Sequence, residues 1–320
     1  MGARGTGEER DGVELTNLDK PLFDGAGATK RDLIDYLDAM SDRILPVLTG
    51  RPLSVIRARP GQAPFMQKNV PKSTPEWVAT ATMWAEASKR DVRYALCNDR
   101  RTLLWFANQR AVELHPTLAL AGSSSPTHLV LDLDPPEGAT FDVVIRTAHL
   151  VREALDSAGL HAAVKTSGAK GVHLFVPVTQ GTAFDDAAAA TRAIAARAER
   201  LDPALATTAF VKADRGGKVF VDATRVGGAT VIAVYSPRIR PGLPVSFPVS
   251  CDELDATTPG DHTIATVVDQ LAGGDPWRDL MPAPQSLPAD LVAEGHTIPV
   301  ARMQAMQAGK RRARDTRSSP

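Results

Sequence analysis

The sequence of 320 residues predicts an α+β fold in which mixed or antiparallel β-sheets are flanked by α-helices. Apolar strand patterns and helical patterns alternate along the middle of the chain. Two extended segments, 217–224 and 229–236, are separated by a Gly-containing turn, which indicates a hairpin rather than a crossover. A hydrophobic content of 43% and a charged content of 23% are ordinary for a globular protein.

The N-terminal third contains one clear helix signal. Residues 1–12 are rich in Gly, Arg and Glu and nearly devoid of apolar side chains, so we expect them to be disordered. Thr29 and Asp32 form a capping-box pattern, and apolar residues follow at helical spacing, which predicts one helix ending near Gly50. Residues 53–71 mix β-forming residues with Pro and Gly and predict short strands joined by loops.

The middle of the chain carries the strongest patterns. Residues 103–116 are predicted as a helix, because Leu104, Ala107, Ala111 and Leu114 share one helical face. The other predicted elements are a strand at 128–134, a helix at 141–159, extended segments at 162–167 and 170–178, a helix at 185–203, strands at 217–224 and 229–236, and short helices near 289–294 and 299–308.

The predicted organisation is a disordered N-terminus at 1–12, one folded domain at 13–275, and a Pro-rich C-terminal extension with a basic tail at 276–320. The tail is interpreted as a solvated end or as an auxiliary phosphate contact. Two cysteines, too few for a disulfide scaffold or a zinc ribbon, favour a reducing, cytoplasmic setting. No apolar run is long enough to cross a bilayer, so no membrane partner is expected.

Two aspartates stand where the segment HLVLDLDPPEG, 128–138, stops being apolar. Residues i and i+2 of a strand point to the same face, so Asp132 and Asp134 present paired carboxylates. Their mutual repulsion is relieved by a cation, and hard oxygen ligands favour Mg²⁺ or Mn²⁺. A surface Asp-Leu-Asp turn is the simpler interpretation of this pair taken alone.

A Gly-rich turn, Ser167-Gly-Ala-Lys170-Gly171-Val-His173, leads directly into an apolar strand. Glycines let backbone amides approach a phosphate closely, and the hydroxyl, ammonium and imidazole groups add donors. The spacing is not that of a Walker loop, and no helix follows. Taken alone, the segment could equally be a Gly turn that carries a solvated lysine.

Two further residues extend this pattern. Asp222 ends the apolar strand in Lys-Val-Phe-Val-Asp, and Arg238 follows the next strand in Tyr-Ser-Pro-Arg, where it could pair with a polyphosphate. Three strand-end carboxylates beside a phosphate-binding turn are typical of a two-metal phosphoryl-transfer site.

The motifs DLDP, SGAKGVH, KVFVD and YSPR occur in this order. The order resembles that of the polymerase domain of bacterial ligase D, a primase-polymerase of non-homologous end joining within the archaeo-eukaryotic primase superfamily. The resemblance extends from about Leu15 to about residue 275 and implies a primase-polymerase catalytic core. Lys212-Ala-Asp214-Arg215 lacks the Gly of the ligase motif K-x-D-G. We therefore expect a stand-alone homologue that relies on a separate DNA ligase and end-binding proteins.

The resemblance implies a role for each motif residue. Asp132 and Asp134 would hold two Mn²⁺ or Mg²⁺ ions, with Asp222 as a third ligand. Glu113-Leu-His115 matches a segment whose histidine is needed for activity, although His115 alone could be a satisfied histidine at a helix end. The phosphates of the nucleoside triphosphate would be contacted by Ser167, Lys170, Gly171, His173 and Arg238.

The resemblance also implies contacts with DNA. Lys20 and Lys30 match paired lysines that would bind the 5′-phosphate at a gap or break, although either could be an ordinary surface lysine. Phe65 and Lys68 belong to a segment in which the family has two adjacent aromatic residues before the lysine, packed against the template or nucleotide. Met66 replaces one of them, and ring stacking is lost there.

Three functions are compatible with these features. The leading hypothesis is template-directed nucleotidyl transfer on gapped or broken DNA, as DNA or RNA synthesis, gap filling or priming, with ribonucleotides preferred, in the cytoplasm of a bacterium at the nucleoid. The second is a DNA-end-binding module with a vestigial catalytic centre, which zero net charge and the lost aromatic favour. The third is a phosphatase using D-x-D, but that signature requires Thr or Val where Pro136 stands and leaves the Gly-rich turn unexplained.

Overall fold

The computed structural model describes residues 8–85, 89–226 and 229–300. The elements of the first half are β1 (Glu8–Arg10), β2 (Val13–Leu15), α1 (Lys30–Ala39), α2 (Ser41–Leu48), β3 (Pro52–Arg59), β4 (Gln62–Gln67), β5 (Thr80–Ala85), β6 (Arg90–Leu96), α3 (Arg100–Asn108) and β7 (Ala111–Pro116). The elements of the second half are β8 (His128–Asp134), α4 (Phe141–Asp156), β9 (Ala163–Thr166), β10 (Val172–Pro177), α5 (Phe184–Leu201), β11 (Ala206–Thr207), β12 (Val219–Asp222), β13 (Pro248–Val249), α6 (Cys251–Leu254), α7 (Val267–Leu271), α8 (Pro276–Leu280) and α9 (Ala289–Thr297).

The strands of these ranges form two larger sheets and the small β1–β2 pair. In the first sheet the strand order is β11-β12-β8-β10-β9-β13, and every pairing except β11 with β12 is antiparallel. The second sheet has the order β4-β3-β6-β5, with β7 paired to β3. The predicted α+β class with mixed and antiparallel sheets is therefore confirmed.

Strand β8 lies in the middle of the first sheet. Its side chains alternate between the hydrophobic core and the face that carries the candidate site. Leu129, Leu131 and Leu133 are fully buried, and helices α4 and α5 pack against this strand. Since successive side chains point to opposite faces, Asp132 and Asp134 project from the face away from those leucines. The apolar packing thus holds the two carboxylates in place.

Several predicted elements are confirmed. The strand at 128–134 has the bounds predicted for β8, and α4, α5, β9 and β10 lie within or close to their predicted ranges. Thr29 and Asp32 form the expected capping box at the start of α1. The predicted single helix is interrupted, however, because Met40 has ψ near 2° and α2 begins as a separate helix that contains Pro46. Met40 is both the C-cap of α1 and the N-cap of α2, so the two helices meet at this residue, six positions before Pro46.

The predicted disorder of 1–12 is wrong for the part that the structure describes. Residues 8–10 form β1, which pairs with β2. Arg10 links this strand to α1 through ion pairs with Asp35 at 2.6 Å and Asp38 at 3.1 Å. These ion pairs between Arg10 and α1 hold residues 8–10 in an ordered strand, although their composition alone indicates disorder. Residues 1–7 lie outside the described ranges.

The predicted helix at 103–116 is correct only as far as Asn108. Arg110 adopts a φ of 60°, which ends the helix, and 111–116 form β7 instead. In β7 the side chains of Ala111, Val112 and Leu114 are buried by pairing with β3. A short apolar segment fits helical and strand periods equally well, and tertiary pairing decides between them.

The hairpin predicted from 217–236 is also wrong. Residues 219–222 form β12, but 229–236 make no regular strand, and residues 227–228 lie outside the described ranges. The amides of Val231 and Ala233 donate to the carbonyls of Pro116 and Leu114, so this segment follows β7 rather than β12. The left-handed conformation of Tyr235, with φ of 62°, then turns the chain away.

The described part of the C-terminal extension packs on the domain. Trp277 of α8 is buried against Phe175, with ring centroids 5.2 Å apart. Helix α9, predicted near 289–294, lies against α5, and the guanidinium of Arg197 donates to Glu294 at 2.6 and 2.9 Å. The helix predicted near 299–308 falls mainly outside the described residues, as does the basic tail. No helix in the described ranges is both long and apolar enough to span a membrane.

Candidate active site

The candidate site is a row of side chains that crosses the first sheet. In the register of the sheet, Asp222 of β12 pairs with Asp132 of β8, and Asp132 pairs with His173 of β10. Residues that face each other on adjacent strands project to the same side, so the three side chains are neighbours. Asp134 lies on the same face, two residues further along β8.

Hydrogen bonds and ion pairs connect the members of this row. The Nε2 of His173 lies 3.1 Å from one carboxylate oxygen of Asp132. Arg225, just beyond β12, lies 2.6 Å from the other oxygen of Asp132 and 3.1 Å from Asp222. The second oxygen of Asp222 accepts hydrogen bonds from the backbone amide and the hydroxyl of Thr224, at 2.8 and 2.6 Å.

These partners determine the charge of the two central carboxyls. Burial alone would raise the pKa of Asp132, but hydrogen bonds and charge from His173 and Arg225 hold it well below its usual range. The opposite holds for Asp134, because burial and the charge of Asp132 raise the pKa of Asp134. Asp134 makes no hydrogen bond or ion pair within the described ranges, and the charges of Arg225 and Arg215 only partly offset the effects that raise its pKa.

A divalent metal ion is the cation implied by this chemistry. Carboxylate oxygens are preferred ligands of Mg²⁺ and Mn²⁺. Among the described residues, no three or more His, Cys, Asp and Glu side chains are arranged to enclose an ion as they stand. Arg225 lies between two of the three carboxylates and would have to move to admit a metal. The oxygen donors are of a kind that suits divalent ions, and the Arg225 guanidinium occupies the space between Asp132 and Asp222.

The cleft above the row has a volume of about 220 Å³. Eight of the predicted site residues line it: Asp132, Asp134, His115, Ser167, Lys170, Gly171, His173 and Arg238. The ninth residue of this set, Asp222, does not line the cleft and reaches it through its ion pair with Arg225. Arg225, Thr230 and Arg240 also line the cleft and were not predicted.

The Gly-rich turn has a definite internal structure. The Ser167 hydroxyl accepts hydrogen bonds from the amides of Ala169 and Gly171, at 3.2 and 3.0 Å. The amide of Gly171 is therefore already used within the turn, and Ser167 offers only its own hydroxyl proton to a ligand. Gly168 has a φ of 67°, and a Cβ there would stand 2.7 Å from the amide nitrogen of Ser246. Only glycine satisfies both constraints.

Glu113 organises the other side of the cleft. Its carboxylate lies 2.9 Å from Nε2 of His115, accepts the amide of Ile239 at 3.0 Å, and stands 3.1 Å from Nε of Arg238. The Arg238 contact is an ion pair without hydrogen-bond geometry, whereas another nitrogen of Arg238 donates to the Ser167 carbonyl at 2.7 Å. Although burial opposes it, these partners lower the pKa of Glu113 to about 2. Sequence analysis assigned no role to Glu113, although this residue stands in the matched motif.

A second cleft, which we call the N-terminal basic pocket, has a volume of about 490 Å³. It is lined by Thr16, Asn17, Lys20, Lys30, Arg57, Arg59, Asn108, Gln109 and Arg110. Lys20 is exposed, whereas Lys30 is buried and donates to the Thr16 carbonyl at 2.5 Å and to Asn108 at 2.6 Å. Burial, with the nearby Arg110 charge, lowers the pKa of Lys30 to about 8. The pocket unites both predicted lysines with three arginines that sequence reasoning missed.

The predicted template contacts lie on the outer strand of the second sheet. Phe65 and Met66 of β4 are 44% and 46% exposed, which is high for such large apolar side chains. The guanidinium of Arg57, from the N-terminal basic pocket, lies 5.5 Å from the centroid of the Phe65 ring. Lys68 follows β4 and is exposed. Neither Phe65 nor Lys68 lines the two clefts.

Comparison with known proteins agrees with this geometry. The family model described as LigD, primase-polymerase domain, matches residues 29–277. The bifunctional non-homologous end joining protein LigD of Bacillus subtilis is 32% identical over 286 residues, which cover 88% of this chain and 46% of that protein. The multifunctional non-homologous end joining DNA repair protein LigD of Mycobacterium tuberculosis is 35% identical over 255 residues, covering 76% of this chain and 33% of that protein. The chain thus spans less than half the length of these relatives.

A solved structure extends the comparison to three dimensions. The polymerase domain of Mycobacterium tuberculosis ligase D, in complex with DNA, matches with a TM-score of 0.77 and 33% identity, over 85% of this chain and 98% of that one. The fold and site define a nucleotidyltransferase of the primase-polymerase class, a metal-dependent class of enzyme. The chain belongs to the LigD primase-polymerase domain family.

Proposed function

We propose that this protein adds nucleotides to a primer 3′ end at gaps or breaks in DNA, as directed by the template strand, and that it serves DNA repair by end joining. The observation that carries the proposal is the row of Asp222, Asp132 and His173 across three hydrogen-bonded strands, beneath a cleft lined by cationic side chains. Paired strand-end carboxylates with cations opposite them match the charges of a metal–triphosphate complex.

Asp132, Asp134 and Asp222 would hold the metal ions. Two Mn²⁺ or Mg²⁺ ions, when bound, would lower the pKa of the primer hydroxyl and place positive charge beside the leaving pyrophosphate. Asp132 supports this role because its pKa is held well below the usual range, so its carboxylate is ionised, and Asp134 supports it because its carboxylate makes no hydrogen bond or ion pair within the described ranges.

The cationic residues of the cleft would bind the triphosphate. Arg238 is held by Glu113 and by the Ser167 carbonyl, so its guanidinium is oriented before a nucleotide arrives. Lys170 donates to the Pro135 carbonyl at 3.3 Å and remains exposed beside the cleft. His173 and the hydroxyl of Ser167 add neutral donors, and Gly171 lets the turn lie close to the carboxylates.

The DNA substrate would contact both clefts. The N-terminal basic pocket fits a terminal 5′-phosphate, since Lys20 and Lys30 are joined there by three arginines. Phe65 and Met66 offer exposed apolar surface to an unpaired template base, and Lys68 offers a charge to the backbone. We further propose that ribonucleotides and Mn²⁺ are preferred, and that a separate DNA ligase and end-binding proteins cooperate in the bacterial cytoplasm. Family membership supports these last points.

The experiment is primer extension on a gapped duplex with a downstream 5′-phosphate, supplied with ribo- or deoxyribonucleotides and either metal. The variant is Asp132→Asn/Asp134→Asn. Its matched control is Asp156→Asn/Asp255→Asn, which changes two exposed carboxylates outside the cleft. We expect extension by the wild type and the control, and none by the first variant. Binding of the duplex without extension by the wild type under any condition would refute the proposal and favour an end-binding module.

A further inference from the structure

Lys165 is the least expected side chain near the cleft. It lies in β9 between Val164 and Thr166, and its side chain is fully buried. Charged residues are almost never fully buried unless they are paired. Within the described ranges, no carboxylate lies within ion-pair distance of Lys165, and the hydrogen-bond partners of its amine are an imidazole and a hydroxyl.

Two neutral groups contact the Lys165 amine. Its Nζ lies 2.9 Å from Nδ1 of His173 and 2.7 Å from Oγ of Ser246. The Ser246 hydroxyl donates its own proton to the Thr166 carbonyl at 2.8 Å, so it can only accept from Lys165. One N–H bond of Lys165 therefore points to Ser246. The direction of the hydrogen bond between Lys165 and His173 depends on which ring nitrogen of His173 carries a proton.

The sheet places Lys165 in the same row as the catalytic carboxylates. In register, Lys165 of β9 pairs with His173 of β10, which pairs with Asp132 of β8. The imidazole ring thus lies between the amine and the carboxylate, with one ring nitrogen directed at each. Nε2 of His173 lies 3.1 Å from an oxygen of Asp132, and the ionised carboxylate has no proton to donate, so a proton on Nε2 is what makes this contact favourable.

A proton on Nε2 leaves Nδ1 of the neutral ring as a hydrogen-bond acceptor. Among the described residues, Lys165 is the only one that donates a hydrogen bond to this nitrogen. We propose that Lys165 is a positioning residue that holds His173 in the tautomer protonated at Nε2. The ring then presents an N–H to Asp132 and, once a nucleotide enters, to a phosphate oxygen. The nucleotide contact rests on the proposed function, whereas the tautomer does not.

The donor count supports this assignment in either charge state of the lysine. Burial lowers the pKa of Lys165 well below its usual range. As an amine it has two N–H bonds and as an ammonium three, and two are enough for Ser246 and His173. Hydrogen bonds to the far nitrogen of a functional histidine commonly fix its tautomer and ring orientation.

The test is ¹⁵N-detected NMR of the full chain labelled at histidine nitrogens, with His173→Gln identifying the His173 signals. The nitrogen shifts separate a ring nitrogen that carries a proton from one that accepts a hydrogen bond. We expect His173 in the wild type to carry its proton on Nε2. In Lys165→Met, which keeps the apolar length of the side chain, only the Asp132 contact still favours the Nε2 tautomer, and we expect a measurable fraction of the Nδ1-protonated form to appear beside it. Ser246→Ala removes the other partner of Lys165, and we expect it to preserve the Nε2 tautomer.

Kinetics supply a second readout. We expect Lys165→Met to lower kcat/KM for nucleotide addition by about 10- to 100-fold, the usual effect of removing a group that orients a site residue. A wild-type proton on Nδ1, or an unchanged His173 signature in Lys165→Met, would overturn the proposal. An equal change in Ser246→Ala would also overturn it, because general packing would then be the cause. Since the NMR readout needs no catalysis, an inactive wild type would refute the proposed function and leave the tautomer assignment to be decided separately.

Discussion

Replacing Gly171 by alanine should displace the carboxylates of the site, because the added methyl group would collide with the backbone of β8. A Cβ at this position would stand 2.4 Å from the carbonyl oxygen of Leu133, whereas ordinary contact begins at 3.4 Å, so about 1.0 Å must be gained by movement (3.4 − 2.4). Leu133 lies between Asp132 and Asp134 on a strand that is paired on both sides. The carbonyl cannot turn aside alone, and the carboxylates must move with it.

The expected effects follow from the size of that movement. A misplacement of 1 Å in a catalytic site lowers the rate by about 100-fold. Forcing one extra methyl group into a packed region lowers the free energy of unfolding by roughly 1–3 kcal/mol. We therefore expect Gly171→Ala to fold, to unfold at a lower temperature, and to lose about 100-fold in rate even in the fraction that remains folded.

The assay is single-turnover primer extension, with thermal unfolding measured on the same samples. Gly260→Ala is the matched control, because residue 260 has an ordinary backbone conformation and a Cβ there meets nothing within 4 Å. We expect the control to match the wild type in both measurements. Wild-type activity in a folded Gly171→Ala variant would show that the position of β8 does not control the chemistry.

Three other changes test separate parts of the account. Arg225→Gln removes the guanidinium that bridges two carboxylates, and Mn²⁺ affinity measured by electron paramagnetic resonance should rise about tenfold, equivalent to ~1.4 kcal/mol. Gly295→Ala would place a Cβ 1.9 Å from a backbone oxygen of α5, so thermal unfolding should show a loss of roughly 1–3 kcal/mol with little change in the activity of the folded fraction. The Lys30 pKa of about 8 predicts that preference for a 5′-phosphorylated gap, measured as a ratio of dissociation constants, falls as pH rises from 7 to 9.

Each of these predictions has a contrary outcome. A lower Mn²⁺ affinity in Arg225→Gln would mean that the guanidinium supports the metal site rather than filling its place. Unchanged unfolding in Gly295→Ala would show that α9 does not pack as described. For the pH effect the sign is fixed, because only the protonated amine attracts a phosphate, and protonation is lost above the pKa. The same pH dependence in Lys30→Gln would assign the effect to another group.

Local sequence patterns predicted the strands that carry Asp132, Asp134 and Asp222. The strand at 128–134 is bounded by polar residues and filled with apolar ones, so its position and the placement of Asp132 and Asp134 on one face could be predicted. The capping box at Thr29 was likewise a local signal. These features depend on residues within a few positions of each other, which is the information that a single sequence contains.

Most of the failures depend on contacts between distant segments. Residues 111–116 became a strand because β3 supplied a partner, and 229–236 followed β7 instead of pairing with β12. Arg225 and Lys165 were not recognised as site residues for the same reason, because their contacts lie on other strands. Arg225 matters through its distance from Asp132 on a neighbouring strand, and Lys165 through the register that aligns it with His173. Sheet register was not deducible from strand patterns alone.

The most direct test of the central claim is whether the template base selects the nucleotide that is added. A duplex with a single-nucleotide gap and a downstream 5′-phosphate is prepared in four versions that differ only at the template base. Each is incubated with Mn²⁺ and all four ribonucleotides, and the added residue is identified by mass spectrometry. We expect the complementary nucleotide in each version, and no addition by Asp222→Asn. Addition that ignores the template base, or that persists in Asp222→Asn, would contradict the account.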